Sequence, residues 1–448
     1  MIQLGYKNRK DMMLLTKKRY VQVGTGGRAR FFYEALTTKY KETTELLGIC
    51  DINRTRLEYT HNVLKNTLNY PDVKMYMADE FDKMIEENKP DYVIVTSMDR
   101  THHRYIKRAM ELGCDVITEK PMTMDEKKCN EILDAIETTG KKLRVTFNYR
   151  YAPHNSKVKE LIMNDTIGKV NHVHFEWFLN TSHGADYFRR WHRDKRNSGG
   201  LLVHKSTHHF DLVNFWLGTY PESVYAMGDL MFYGRENAEE RGITKFYDRV
   251  HGSKNAEGDP FALVMEGNPQ LEGLYLNAEK DDGYIRDQSV FGHNISIEDT
   301  MSVLVRYKSG AMMSYSLTAY SPIEGFRVVF TGTKGRMELD VSEAVYVNGQ
   351  GHTSEEGATK GIKLTVYPMF DNSYEVEIPK ADGGHGGGDP VLLNDLFGIP
   401  DPDPLKRAAS HIDGVTSIMT GICANKSIAS GLPVKVEDVL GRRIKDLK

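Results

Sequence analysis

Apolar residues in the first 150 positions fall in short, nearly continuous runs, and the segments between them carry helical periodicity. Runs of that kind suit parallel strands covered on both faces, where neither side meets water. RYVQVG is the first, ELLGICD the second, ending at Asp51, and VKMYM a short third. DYVIVTS is almost wholly apolar and reads as a central strand; CDVITEKP and KLRVTFNYRY follow it. A helix begins near Ala29 and carries Phe31, Phe32, Tyr33 and Leu36, a polar one runs from Arg54 to Leu64, and amphipathic HHRYIKRAMELG is closed by Gly113. Strand and helix alternating at this spacing predict a doubly wound parallel sheet.

After Tyr151 the pattern changes to longer, alternating strands: KVNHVHFEWFL, MSVLVRYKSGAMMSYSLTAY, FRVVFTGTKGRMELD and AVYVNG. Lys308-Ser309-Gly310 and Thr333-Lys334-Gly335 read as hairpin turns. The expectation is an α+β domain built on a large, mainly antiparallel open sheet. Residues 228–298 are polar and poorly periodic, too long for a plain loop, so they form a lid or an insertion that packs on a neighbour. GGHGGGDP, at 383–390, must hold unusual dihedrals or bring backbone very close to something. A final helix runs roughly from Asp403 to Ser430, before Gly431 and Pro433. The chain therefore divides into an N-terminal extension (1–17), a Rossmann dinucleotide-binding domain (18–148), an α/β substrate and oligomerisation domain (149–402), and a C-terminal helix and tail packing back on the core (403–448). The extension is basic but has no sustained apolar stretch or small-residue cleavage site, so it does not read as a signal peptide; Met12 or Met13 is an alternative start.

A net charge of −3, spread along the chain, gives no electrostatic case for nucleic acid or an anionic membrane as partner. No apolar run approaches the roughly 20 residues a spanning helix needs. Cys50, Cys114, Cys129 and Cys423 form no C-x-x-C pair, which suits reduced thiols in a cytoplasmic protein.

Candidate chemistry begins in VGTGGRA. Gly24 permits the tight turn, Gly26 lets backbone approach a pyrophosphate, and small Ala29 lets the next helix pack on the strand. Asp51, 27 residues after Gly24, is placed to bind the ribose hydroxyls and repel a 2′-phosphate, favouring NAD over NADP. The competing readings are that Asp51 caps the next helix, or that Arg54 or Arg56 holds the phosphate. Lys120, between Glu119 and Pro121, ends a strand that faces the same crevice; it is either an ion-paired surface lysine or the cation that holds a reacting hydroxyl. In SGGLLVHKSTHHFDLVNFWLG, His204 and His208 are four apart, so on one helix they share a face with each other and with Asp211. A histidine beside a carboxylate is an acid/base element with a pKa near neutrality. His204, His208, His209 and His385 contain enough ligands for a metal, but no glutamate stands beside the first histidine, and no metal is expected.

Together these stretches resemble the glucose–fructose oxidoreductase/inositol dehydrogenase (Gfo/Idh/MocA) family. VGTGGRA is similar to its cofactor turn, SMDRTHHRYIKRAMELGCDVITEKPM to its strand–helix–EKP block, and SGGLLVHKSTHHFD to its G-G-x-x-x-D-x-G-x-H-x-x-D signature. The resemblance runs from about residue 18 to 340, weakens through 228–290 and returns at the final helix. It implies oxidation or reduction of sugars and cyclitols with NAD or NADP, and an open sheet used for homo-oligomers. It makes Lys120 the EKP lysine and His208 the catalytic histidine, and it places Asn148, Tyr149 and Arg150 near the nicotinamide. The family's usual aspartate four before the histidine is replaced by His204, and Lys205 and Ser206 replace the common x-G.

The expected protein is an NAD-dependent oxidoreductase that takes hydride from a ring hydroxyl carbon of a sugar or sugar derivative. Lys120, His208 and His204 are the catalytic candidates. Gly24, Thr25, Gly26, Gly27, Arg28, Asp51, Glu119, Lys120, Asn148 and Arg150 are the cofactor candidates, and Lys205, Asp211, Tyr149 and His385 the substrate candidates. A site so rich in bases suits an anionic or extended sugar. NAD-dependent glycoside cleavage by transient C3 oxidation is one alternative. A dinucleotide-sensing regulator is another, though such a protein would be expected to lose Lys120 or His208.

Overall fold

Six parallel strands form the first sheet of the computed structural model, which describes residues 17–344, 361–381, 383–400 and 402–447. They are β1 (Lys18–Val23), β2 (Thr44–Asp51), β3 (Lys74–Met77), β4 (Tyr92–Val95), β5 (Asp115–Thr118) and β6 (Leu143–Val145), in the order β3-β2-β1-β4-β5-β6. The order reverses between β1 and β4, so a crevice opens at their carboxyl ends. The apolar runs supply both faces: Val21, Val93 and Val95 enter one core, and Tyr20, Ile49 and Ile94 the other.

The second sheet has nine strands, in the order β14-β13-β12-β11-β7-β10-β9-β8-β15. They are β7 (Val170–Asn180), β8 (Pro221–Asp229), β9 (Thr300–Tyr307), β10 (Met312–Ser321), β11 (Glu324–Gly332), β12 (Gly335–Ala344), β13 (Gly361–Pro368), β14 (Tyr374–Glu375) and β15 (Val434–Lys435). Only β7 and β10 pair in parallel among its described pairs. Alternation decides the faces: Met301, Val303 and Val305 are buried while Ser302, Leu304 and Arg306 are exposed. Both hairpin turns stand where the glycines predict them, between β9 and β10 and between β11 and β12. FRVVFTGTKGRMELD and the start of AVYVNG make the β11–β12 hairpin, with β12 continuous through Ala344. The rest of AVYVNG and the alternative starts Met12 and Met13 lie outside the described residues.

The helix expected from Asp403 to Ser430, after which comes a short helix, Val436–Leu440, is shorter than the pattern suggested and spans His411–Ser430. Ser410 caps it, accepting from the backbone of Ile412 while Asp413 accepts from the Ser410 N–H. Residues 403–407 instead form a turn in which Asp403 accepts from Arg407 N. The helix lies against β8 and the helix Thr207–Leu217, and Val145 N donates to Ala409 O at 3.2 Å, tying its start to the first sheet.

Residues 230–299 bridge two neighbouring antiparallel strands, β8 and β9, by a long excursion with short helices at Arg235–Glu240, Pro269–Leu274 and Glu279–Asp282. Its stretch 268–282 lies across the first domain. Asn53 Nδ2 donates to Ala278 O at 2.8 Å, Thr55 N to Asp281 at 2.6 Å, and the Tyr59 ring packs where a side chain at Gly273 would stand. No helix among the described residues is long and apolar enough to cross a membrane.

Candidate active site

The cofactor cradle is built at the end of β1. Gly24 has φ +88°, and a Cβ there would come within 2.5 Å of the Thr96–Ser97 backbone, so the turn requires glycine. A Cβ on Gly26 would meet nothing within 4 Å, which leaves open space beside the turn that leads into the helix Ala29–Thr37. Open backbone at a helix entrance suits a phosphate. Asp51 accepts from Thr25 N at 2.6 Å, Thr25 Oγ1 at 2.9 Å, Asn53 N at 2.9 Å and Arg56 Nη1 at 3.2 Å. The helix after β2 is capped by Asn53, which accepts from Arg56 N, and not by Asp51. Arg56 is buried between Asp51, Asp282 (3.0 Å) and Leu274 O (3.1 Å), while Arg54 pairs outward with Glu58. Arg28 reaches the end of β5 through Glu119 at 2.7 Å, and Gly27 N donates to the Tyr275 hydroxyl at 3.1 Å.

Lys120 follows Glu119, and the Lys120–Pro121 peptide bond is cis. His208 stands in the first turn of the helix Thr207–Leu217. It is buried, and neither ring nitrogen has a hydrogen-bond partner among the described residues. Its ring meets Tyr149 edge-on at 4.9 Å and lies 5.8 Å from His385. Burial pushes its pKa well below the ordinary histidine value, and the charges of Lys120, His385 and Lys205 push the same way. The imidazole is therefore neutral at pH 7, as a proton acceptor must be. Lys205 is fully buried, its Nζ 5.2 Å from the Trp177 ring and 5.9 Å from that of Tyr149. His385 Nδ1 lies 3.1 Å from Asp389, which also accepts from Asn148 Nδ2 at 2.6 Å. Burial raises the Asp389 carboxyl, but His385, Arg28 and Asn148 bring it down to about 2. The glycine-rich loop can lie this close because a side chain at Gly388 would strike Asn148 O.

Residues 18–147 match the model of the oxidoreductase family's NAD-binding Rossmann fold, and residues 159–436 match that of its C-terminal alpha/beta domain. The chain belongs to the Gfo/Idh/MocA oxidoreductase family. A Bacillus subtilis protein named as the oxidoreductase YteT is 36% identical over 445 residues, covering 94% of this chain and 98% of its own. Myo-inositol 2-dehydrogenase of Thermotoga maritima is 22% identical over 399 residues, covering 88% and 92%. Among solved structures, the WlbA dehydrogenase of Chromobacterium violaceum, in complex with NADH and UDP-GlcNAcA, shares the fold with a TM-score of 0.60 at 19% identity, covering 94% of this chain and 96% of that one.

Within this Gfo/Idh/MocA site, several residues stand differently from the expected arrangement. His204 and His208 do not share a helix. Leu201–His204 is a separate turn, Ser206 N reaches back to Leu201 O, and the next helix starts at Thr207. His204 faces Asp99, with Nδ1 to Oδ2 at 2.5 Å, and its ring lies 4.2 Å from that of His192. Asp211 is three residues after His208 on one helix, but among the described residues it makes no hydrogen bond to it. It grips Arg150 at 2.7 and 2.5 Å, and Arg150 also reaches Asp413 at 2.8 Å. The pairing takes both Asp211, expected at the substrate, and Arg150, expected at the cofactor, into the core, because a buried guanidinium needs carboxylates around it. His209 stacks on Trp177 at 3.9 Å and bonds the Tyr315 hydroxyl at 2.7 Å.

Asp99, His192, Asp186, Arg190 and Arg286 escaped the sequence reading. Asp99 had a signal, since it sits just past the carboxyl end of a central strand; the others lie in segments without motif. Asp99, His192 and His204 have ligand atoms within 4.8 Å of one another, a set that could hold a metal. Against this, Arg190 sets Nε and Nη2 at 3.1 and 3.2 Å from the two ring nitrogens of His192, a cation where a second one would have to bind.

Proposed function

We propose that the chain is an NAD-dependent dehydrogenase of a sugar or sugar derivative, with Lys120 and His208 as its working pair. The observation that carries this is His208, a buried imidazole with both nitrogens unsatisfied among the described residues, close enough to Lys120 for that charge to depress its pKa. Such a group is stable in the fold when a ligand hydroxyl completes it. The substrate hydroxyl would lie between the two. Lys120 would stabilise oxygen as negative charge develops, and His208 would take the proton while the carbon gives up hydride. Gly24–Arg28 would hold NAD+, which would supply the hydride acceptor. Asn148, Tyr149 and His385 would line the reacting end.

NAD is preferred over NADP in this reading because a carboxylate at the end of β2, Asp51, would repel a 2′-phosphate, and both flanking arginines are engaged by carboxylates. Titration calorimetry should show NADH binding tighter than NADPH, with Asp51→Ala narrowing the gap; tighter NADPH binding by the native chain would reverse the assignment. The activity test is NADH absorbance with a panel of hexoses, hexuronates and cyclitols. Lys120→Ala and His208→Ala should each lower kcat by about 10² or more with little change in NAD affinity. Near-native turnover in either variant removes that residue from the mechanism.

The stretch 268–282 over the cofactor turn favours slow NAD release, which also suits glycoside cleavage through transient C3 oxidation. A native mass spectrum carrying NAD, with no net NADH formed on turnover, would select that reading. The outer face of the nine-stranded sheet, with Met227, Leu304 and Met312 exposed, suits contact with a second copy of the chain. Sedimentation should give a homo-oligomer.

A further inference from the structure

Three guanidinium groups converge on one carboxylate beside the crevice. Asp186 accepts from Arg286 Nη2 at 2.6 Å and Arg190 Nη1 at 2.9 Å, and Arg189 Nη1 lies 3.5 Å away. Arg189 and Arg286 are buried and Arg190 is partly so. Arg189 spends its Nε on Phe261 O at 2.8 Å. Arg286 Nη1 is buried and has no partner among the described residues.

The cluster is continuous with the candidate active site. Arg190 lies on His192, the His192 ring is 4.2 Å from His204, and His204 bonds Asp99 in the loop after β4. Neighbouring acids of the same segments are committed elsewhere. Asp287 and Glu279 hold Arg249, Glu298 holds Lys195, and Asp259 accepts from Tyr247. Three guanidinium groups share the one carboxylate they contact, and Asp99 is the next acid that Arg190 feels, which leaves an excess of positive charge in a water-poor place. Burial of unmatched charge is strongly unfavourable unless a ligand matches it. A planar guanidinium with a free edge binds carboxylate in two parallel hydrogen bonds.

We propose that Arg286, oriented by Asp186 and with Arg190 adding positive charge beside it, forms a subsite for a carboxylate carried by the substrate, so that the sugar oxidised is a uronic acid or a close relative. This rests on the dehydrogenase reading and narrows it. Arg286 belongs to the long excursion between β8 and β9, whereas Asp186 lies on the helix Thr181–Arg189 and Arg190 directly follows it, so the excursion completes a subsite that this helix begins.

The test uses NAD-loaded protein and calorimetry with D-glucuronate and D-galacturonate against D-glucose and D-galactose. The expected result is at least tenfold tighter binding of one hexuronate than of its neutral counterpart. Arg286→Met should abolish that preference, Arg190→Met should weaken it, and Arg286→Lys should keep part of it, with NAD affinity and melting temperature held near native. Lys120→Ala should retain hexuronate binding while turnover is lost. Hexuronate binding that depends on Arg286, with no NADH formed from any sugar, would support the subsite and sink the dehydrogenase reading. Equal binding of charged and neutral sugars, or unchanged hexuronate binding in Arg286→Met, overturns the subsite.

Discussion

A buried imidazole with no partner is costly to the fold, and its neighbours decide what it can do. At His208 burial is the larger influence and Lys120 the second, and both favour the neutral base. Turnover should therefore hold from neutral pH down past the ordinary histidine value near 6.5 and fall only at lower pH. Removing the Lys120 charge should raise the His208 pKa. In Lys120→Met the His208 Cε1–H titration, followed by NMR, should move toward higher pH; an unchanged midpoint would mean that the two groups do not communicate. The roles proposed for Lys120 and His208 come from contiguous motifs, each with a strand or helix to aim the side chain. The Asp99–His204 bond was not legible in the sequence, because its partners are 105 residues apart and meet only through the packing of the two domains. This chain has His204 where the family usually has an aspartate, and the fold brings an acid, Asp99, to it from another loop.

At the scale of elements, burial periodicity carried the strands, and glycine carried the turns. Helix limits were harder. His411–Ser430 starts where Ser410 and Asp413 cap it, and the apolar pattern alone placed the start too early. Residues 268–282 had no readable period because their short helices are held by another domain. Asn268 caps Pro269–Leu274, and Arg56 binds both Leu274 O and Asp282. Dinucleotide bound at Gly24–Arg28 would lie next to this segment, since Tyr275 already touches Gly27. Asp282→Ala removes the anchor at 3.0 Å from Arg56. Stopped-flow release of NADH should become about tenfold faster, corresponding to about 1.4 kcal/mol of lost anchoring. The same release rate in variant and native protein would show that the segment does not hold the cofactor in place.

For the whole molecule, the same buried imidazoles set an acid limit on stability. His154, His192 and His208 all lie in the interior with pKa values pushed down by burial, that of His154 to about 4. Above pH 6.5 each is neutral folded or unfolded and contributes nothing to the pH dependence. Below it the unfolded chain takes up a proton that the native one refuses, so stability falls as pH falls, until the native pKa is reached. For His154 the window runs from 6.5 to about 4, and the loss across it is on the order of 3 kcal/mol. Asp389 acts in the same direction lower down. Its carboxyl is depressed to about 2, so the stability it contributes above pH 3.8 disappears between there and pH 2. His154 is the clean probe, because neither of its nitrogens has a partner among the described residues and it lies outside the reacting groups. In His154→Leu, urea unfolding at pH 7 should change modestly, while the drop between pH 6.5 and 4 should shrink by about 1–3 kcal/mol relative to the native chain. If the two proteins lose stability in parallel over that range, the acid limit has its origin in other groups.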